Sequence, residues 1–222
     1  MKNNKIIKDI AMFVFGLFAM GLGVALVTKS QLGTSPITSV PYVLSMIFPL
    51  SIGLFVLLIC AFFLLVQIMI LKKNFQKKQY LQLLVGPLFG LFTDLGMYIF
   101  SFVTPTSYMA KIIALLLGCI VLAYGIYLQI SAKVIVNPGE GLVIVIAQKI
   151  GKEFGIVKIV FDFTLIFSAL AISLYSLGSV QGVREGTIIS AFLVGYIIRI
   201  FNRIAQQHVR NKKLEVQEAV TS

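Results

Sequence analysis

Two short polar segments interrupt an otherwise apolar chain, and both place proline directly after a residue that caps helices: Thr34-Ser35-Pro36 in the first half and Asn137-Pro138-Gly139-Glu140 in the second. Proline is tolerated at the first position of a helix, and Ser or Asn just before it is a favoured N-cap. Glu140 stands three residues past Asn137, from where a carboxylate can close a capping box. The first turn of a helix carries unpaired N–H groups and a partial positive charge, so two such ends facing one another would suit a small polar or anionic solute. The bland alternative is that these residues only cap helices lying flat at each membrane surface.

Three further residues belong in that inventory because a charge inside a hydrocarbon-length run is expensive and marks function unless it is paired. They are Asp94, Asp162 and Arg199. At about 1.5 Å per residue, Asp94 lies toward the outer end of its run and Arg199 toward the inner end of its own, so direct pairing of these two is not expected. Depth alone offers Arg199 or Lys158 as partners for Asp162, and Arg184, Tyr98 or a threonine for Asp94. Arg199 has the alternative of reaching the headgroups beside Arg203.

Of the 222 residues, 59% are hydrophobic and 12% charged, against roughly 25% charged in soluble domains. Crossing a bilayer takes roughly 20 apolar residues, and lipid forbids unpaired backbone. The chain meets that length near 9–28, 51–71, 80–102, 111–131, 156–177 and 185–203. None alternates as a barrel strand would. The fold class expected is therefore an all-α integral membrane protein with six spans. The first run follows lysines as a secretory signal does, but its length and the lack of a cleavage pattern predict a retained span.

The net charge of +11 is distributed as topology rather than as a nucleic-acid footprint. Lys2, Lys5 and Lys8, then Lys72, Lys73, Lys77 and Lys78, then Lys149 and Lys152, then Arg203, Arg210, Lys212 and Lys213 fall on alternate connections and at both ends. The positive-inside rule then puts both termini in the cytoplasm. Cys60 and Cys119 sit inside apolar runs, and His208 stands alone in the polar tail, 206–222, which is expected to fray. No metal or other cofactor is expected from them.

Placing the second half over the first at one constant offset brings Pro138 onto Pro36, Gly118 onto Gly16, Gly125 onto Gly23 and Gly155 onto Gly53; after a small insertion Gly195 falls on Gly90. Each unit, 1–105 and 106–205, would hold a span, a short helix (36–50 or 138–150) and two more spans. Three spans is an odd number, so the second unit must be inverted relative to the first. The short helices are then re-entrant or interfacial. Gly86, Gly90 and Asp94 share one face of the third span, as Ala191, Gly195 and Arg199 do on the sixth, and such spacing lets helices approach closely. Gly16, Ala19 and Gly23 give the first span a small-residue face that a partner subunit could use.

The glycine-rich first span followed by LGTSP, then NPGEG in the second half, resembles the YitT/YczE-like multi-pass membrane proteins of bacteria, with Ile37 where an aromatic is common. The resemblance extends over most of the chain and implies a multi-helix fold in the bacterial plasma membrane. It implies no particular substrate and no catalytic residues. Three function classes follow from the residues and this resemblance. The first is a permease or channel for a small polar or anionic solute, using Thr34, Ser35, Pro36, Asn137, Pro138, Gly139 and Glu140, assisted by Asp94, Asp162 or Arg199. The second is a substrate-binding membrane subunit of a larger importer, and the third a scaffold without a deep cavity, alone or as a homo-oligomer. Enzyme motifs such as a Gly-Lys phosphate loop, HExxH or a nucleophile elbow are absent from the sequence.

Overall fold

The computed structural model describes the backbone of residues 2–50 and 52–221, and the side chains of 5–50, 54–76 and 79–207. Ser51, the surroundings of Gly53, and the side chains of Lys2, Lys77, Lys78, His208, Arg210, Lys212 and Lys213 lie outside that description. Every regular element of the described chain is a helix: α1 (Lys2–Lys29), α2 (Pro36–Ile47), α3 (Ile52–Leu71), α4 (Gln82–Ile99), α5 (Tyr108–Ala132), α6 (Pro138–Ile150), α7 (Phe154–Leu177) and α8 (Glu185–Thr221). Two 3-10 turns, Lys72–Asn74 and Lys77–Leu81, link α3 to α4. Six of these helices are long and apolar enough to span a membrane, while α2 and α6 are too short. Their punctuation is chemical: Pro36 and Pro138 start α2 and α6, and Gly151 and Gly178, at φ 65° and 66°, end α6 and α7 in the left-handed conformation.

The contacts define two layers. In one, α1 and α5 cross at the centre, with α4 against α1 and α8 against α5. Leu17, Met20, Leu115, Leu122 and Ile126 fill this crossing. In the other layer α2 and α6 each pack between α3 and α7. The layers join where α3 meets α4 and α7 meets α8.

Lipid tails are as apolar as leucine, so helices in a bilayer associate through close packing rather than through a hydrophobic drive. Glycine supplies that closeness at the α1–α5 crossing. A Cβ on Gly125 would stand 2.6 Å from the Gly16 carbonyl oxygen, and one on Gly118 would stand 3.0 Å from that of Gly23. Gly21 is likewise closed by Phe92 of α4. The small-residue face of α1 is thus consumed inside the bundle, which corrects the expectation that it is free for a partner.

On α8, Gly195 packs as its spacing predicts, with a Cβ there only 2.7 Å from the Gly155 carbonyl oxygen. Gly90 does not: no atom lies within 4 Å of where its Cβ would be. The outer faces carry Leu65, Met69, Leu84, Leu91, Phe167 and Tyr175 in exposed positions, which suits contact with hydrocarbon.

Candidate functional site

Ser35 and Asn137 occupy the N-cap positions of α2 and α6 with non-helical backbones, but neither side chain makes a capping hydrogen bond. Ser35 Oγ lies 3.0 Å from Thr38 Oγ1 instead. Nor does the capping box expected of Glu140 form: the Asn137 backbone N–H donates to Gln129 Oε1 at 3.1 Å. Occupation of that donor by an amide from α5 leaves the Glu140 carboxylate without its local duty.

A collar of glutamines fixes the start of α6. Gln67 donates to the Pro138 carbonyl at 3.0 Å and to Gln82 Oε1 at 3.0 Å, while Gln82 donates back to Gln67 Oε1 at 3.2 Å. Gln67, Gln82 and Gln129 are all buried. Amides in apolar spans are costly unless paired, so this expenditure of polar groups on one helix end indicates that its position matters. Gly139 permits a close approach, since a Cβ there would overlap Ile37 of α2. The two short helices therefore meet tip to tip.

Where they meet lies a cavity of about 20 Å³ lined by Ser35, Pro36, Asn137, Glu140, Lys158 and Asp162, with Met20, Phe89, Leu122 and Val194 among its apolar wall. That is room for about one water molecule. Lys158 Nζ lies 2.5 Å from Asp162 Oδ1 and 3.9 Å from Glu140 Oε1, with all three side chains at most 5% exposed. Glu140 Oε2 and Gln129 Nε2 have no hydrogen-bond partner. The site therefore holds two acids and one base. Chemically it offers an ammonium and the N-terminal ends of two helices to a negative or polar group, and a bare carboxylate oxygen to a donor.

The structure gathers five of the sequence candidates at this cavity: Ser35, Pro36, Asn137, Glu140 and Asp162. Pro138 and Gly139 stand behind it, held by Gln67 and Ile37. Thr34 is elsewhere, its hydroxyl donating to the Gly182 carbonyl at 3.0 Å in the α7–α8 connection.

Asp94 lies exposed on α4 and does not meet Arg184, whose Nε is 3.7 Å from Glu185. Arg199 meets neither Asp162 nor the cavity. Its Nε lies 2.5 Å from Glu153 Oε2 at the start of α7, a charge contact outside hydrogen-bond geometry. Of the two partners that depth offered Asp162, Lys158 is the one found.

Sequence reasoning passed over Lys158 as a site residue and did not weigh Gln67, Gln82 and Gln129. The available signal was the same one used for the acids, since a polar amide inside a span needs a partner there.

Comparison with known proteins places the chain in a family. YczE of Bacillus subtilis (strain 168), named "Uncharacterized membrane protein YczE", is 30% identical over 83% of this chain and 80% of its own length. YyaS of the same organism is 23% identical over 89% of this chain and 94% of its own. An "Uncharacterized protein" of Haemophilus influenzae is 27% identical over 89% and 84%. No solved structure matches. With residues 7–203 matched by the family described as "Family of unknown function (DUF6198)" and a YczE homologue over most of its length, the chain belongs to this YczE-like family of membrane proteins.

Proposed function

We propose that the chain is a permease of the bacterial plasma membrane for a small polar or anionic solute, built from two inverted three-span units, 1–105 and 106–205. The observation that carries the reading is the convergence of the α2 and α6 N-termini on one buried cavity that also holds Lys158, Glu140 and Asp162. Helix starts of this kind, aimed inward from both halves, are the usual binding elements of inverted-repeat transporters.

The packing supports the inversion. Exchanging the two halves exchanges α1 with α5, α2 with α6, α3 with α7 and α4 with α8, and the contacts follow: α2 on α7 answers α6 on α3, and α1 on α4 answers α5 on α8. The Gly16–Gly125 approach becomes Gly118–Gly23 under the same exchange. The basic connections and both termini would then face the cytoplasm. A cavity of one-water size belongs to a closed state, and solute would enter after the halves rock apart around the fixed site.

Reconstitution into liposomes tests the reading. Uptake of a panel of labelled small anions and zwitterions (formate, acetate, nitrate, phosphate, glycine) should exceed that of protein-free vesicles for at least one member, and Asn137→Leu should abolish the excess. Uptake equal to protein-free vesicles across the panel would count against a permease.

A second reading, a membrane subunit of a larger importer, is favoured by one observation on α4. The open flank of Gly90 and the exposed Asp94 share that helix's outer surface, where another membrane subunit could pack. The scaffold reading expects no deep cavity and gains nothing from the one described.

A further inference from the structure

We infer that Glu140 is the proton-binding residue of this site, taking up one proton on Oε2 so that a small anion can occupy the cavity beside Lys158. The coupling half of this inference rests on the permease reading; the proton site itself does not.

The argument starts from charge. Lys158 is the one base at the cavity and lies 2.5 Å from Asp162, so that pair is internally balanced. Glu140 is left over, with Oε1 at 3.9 Å from Lys158 and Oε2 meeting no partner, on a side chain 2% exposed. A bare carboxylate oxygen buried in a low-dielectric interior is among the costliest arrangements a protein can hold, and a neutral acid is far cheaper.

Glu140 has the backbone N–H of its own first turn of α6, but the side chains facing it from each packed element add little relief. On α7 they are Lys158 and Asp162; on α3 the Cys60 thiol lies 4.0 Å from Asn137 Oδ1; α4 brings the neutral Gln82, and α2 brings the Ser35 hydroxyl. None supplies a second positive charge.

A metal cation fits less well than a proton. Such an ion needs several oxygen ligands and would sit within a few ångströms of the Lys158 ammonium, against its repulsion. Among the described residues no group of three or more His, Cys, Asp or Glu side chains gathers at any point. A proton needs no coordination shell, and a cavity of about 20 Å³ has space for a water to carry it.

The cycle follows with its charges balanced. Water at the open side delivers a proton to Glu140 Oε2, which leaves the neutral acid beside the Lys158–Asp162 pair. An anion then binds against Lys158 and the helix starts without meeting a second unbalanced negative charge. Opening to the other side returns the proton from Oε2 to water, and the carboxylate formed competes with the anion for Lys158 and helps expel it. One proton crosses with each negative charge.

Infrared difference spectra of the purified protein between acidic and alkaline buffer read the proton directly, as a carboxylic-acid C=O band formed on acidification. The wild type should show a band that is lost in Glu140→Gln, displaced in Glu140→Asp and kept in Asp162→Asn, where it forms at lower pH because Lys158 is then free to pair with Glu140. A band kept in Glu140→Gln, or lost in Asp162→Asn alone, overturns the assignment. So does erasure of the wild-type band by sodium chloride at fixed acidic pH, which would mark a metal-cation site. Should Glu140→Gln not fold, an undisplaced band in Glu140→Asp serves as the overturning result. Because the spectra need no solute, an absence of uptake in liposomes would remove the permease reading while leaving the proton site standing.

Discussion

Lys158 and Asp162 stand one turn apart on α7 and close a buried ion pair at 2.5 Å, with Glu140 of α6 3.9 Å from the same ammonium. The three do not have equal standing. Lys158 faces two acids, whereas each acid has one base.

The unequal roles give an ordered outcome for neutral substitutions. Lys158→Met strands the buried Asp162 carboxylate and should cost about 3–5 kcal/mol of stability, the usual range for breaking a buried pair. Asp162→Asn leaves Glu140 available to Lys158 and should cost distinctly less. Thermal unfolding of the detergent-solubilised variants checks the order, and a larger loss for Asp162→Asn would contradict it.

At the helix crossings, Gly125→Ala would drive a methyl into the Gly16 carbonyl, whereas Gly90→Ala meets open space. Overpacking typically costs about 1–3 kcal/mol, while replacing an unencumbered helical glycine by alanine gains about 0.5–1 kcal/mol. Gly125→Ala should therefore lower the unfolding temperature and Gly90→Ala hold or raise it, as read by the same melts and by elution as a single species in size-exclusion chromatography.

That pair also marks how far sequence could reach. Apolar run length located all six spans, and the proline starts of α2 and α6 follow from Ser35-Pro36 and Asn137-Pro138, because both signals are local. Whether a glycine is used depends on which helix lies opposite. Gly90 and Gly195 share a register but not a neighbour: α7 brings Gly155 against Gly195, and nothing comes that near Gly90.

The same limit governed the polar residues. Glu140 has capping-box spacing, yet Gln129, eight residues before Asn137, takes the donor it would have used. Depth along a helix allowed Asp162 either Lys158 or Arg199, but depth carries no azimuth, and Arg199 turns to Glu153. Asp94 shows the same gap, since nothing local says that it faces outward on α4.

For the glutamine collar, Gln67→Leu removes the donor to the Pro138 carbonyl and both bonds to Gln82. Leaving a buried polar group unsatisfied costs about 1–3 kcal/mol. Gln82→Leu spares the Pro138 bond and should be the milder change. Differential scanning measurements of the two variants, side by side, decide this.

The Arg199–Glu153 contact is partly open, with side chains 34% and 53% exposed. Exposed pairs contribute about 0–1 kcal/mol. Glu153→Gln should therefore leave stability within about 1 kcal/mol of wild type, with the small difference shrinking at high salt. A loss several times larger in thermal melts would show that Arg199 carries a structural load this contact does not account for.

The meeting of α2 and α6 at one interior cavity is tested most directly by joining them. In a Cys60→Ala, Cys119→Ala background, Ile37→Cys and Gly139→Cys should form a disulfide within one chain in native membranes, because a Cβ on Gly139 would lie 3.6 Å from Ile37 Cγ1, the atom whose place a cysteine sulfur takes, which puts the two thiols within reach of one another. Protection of both thiols from maleimide mass-tagging after mild oxidation, reversed by reductant, is the expected result. Two thiols that stay fully taggable after oxidation, in protein that is folded and in the membrane, would mean the two helix tips do not meet.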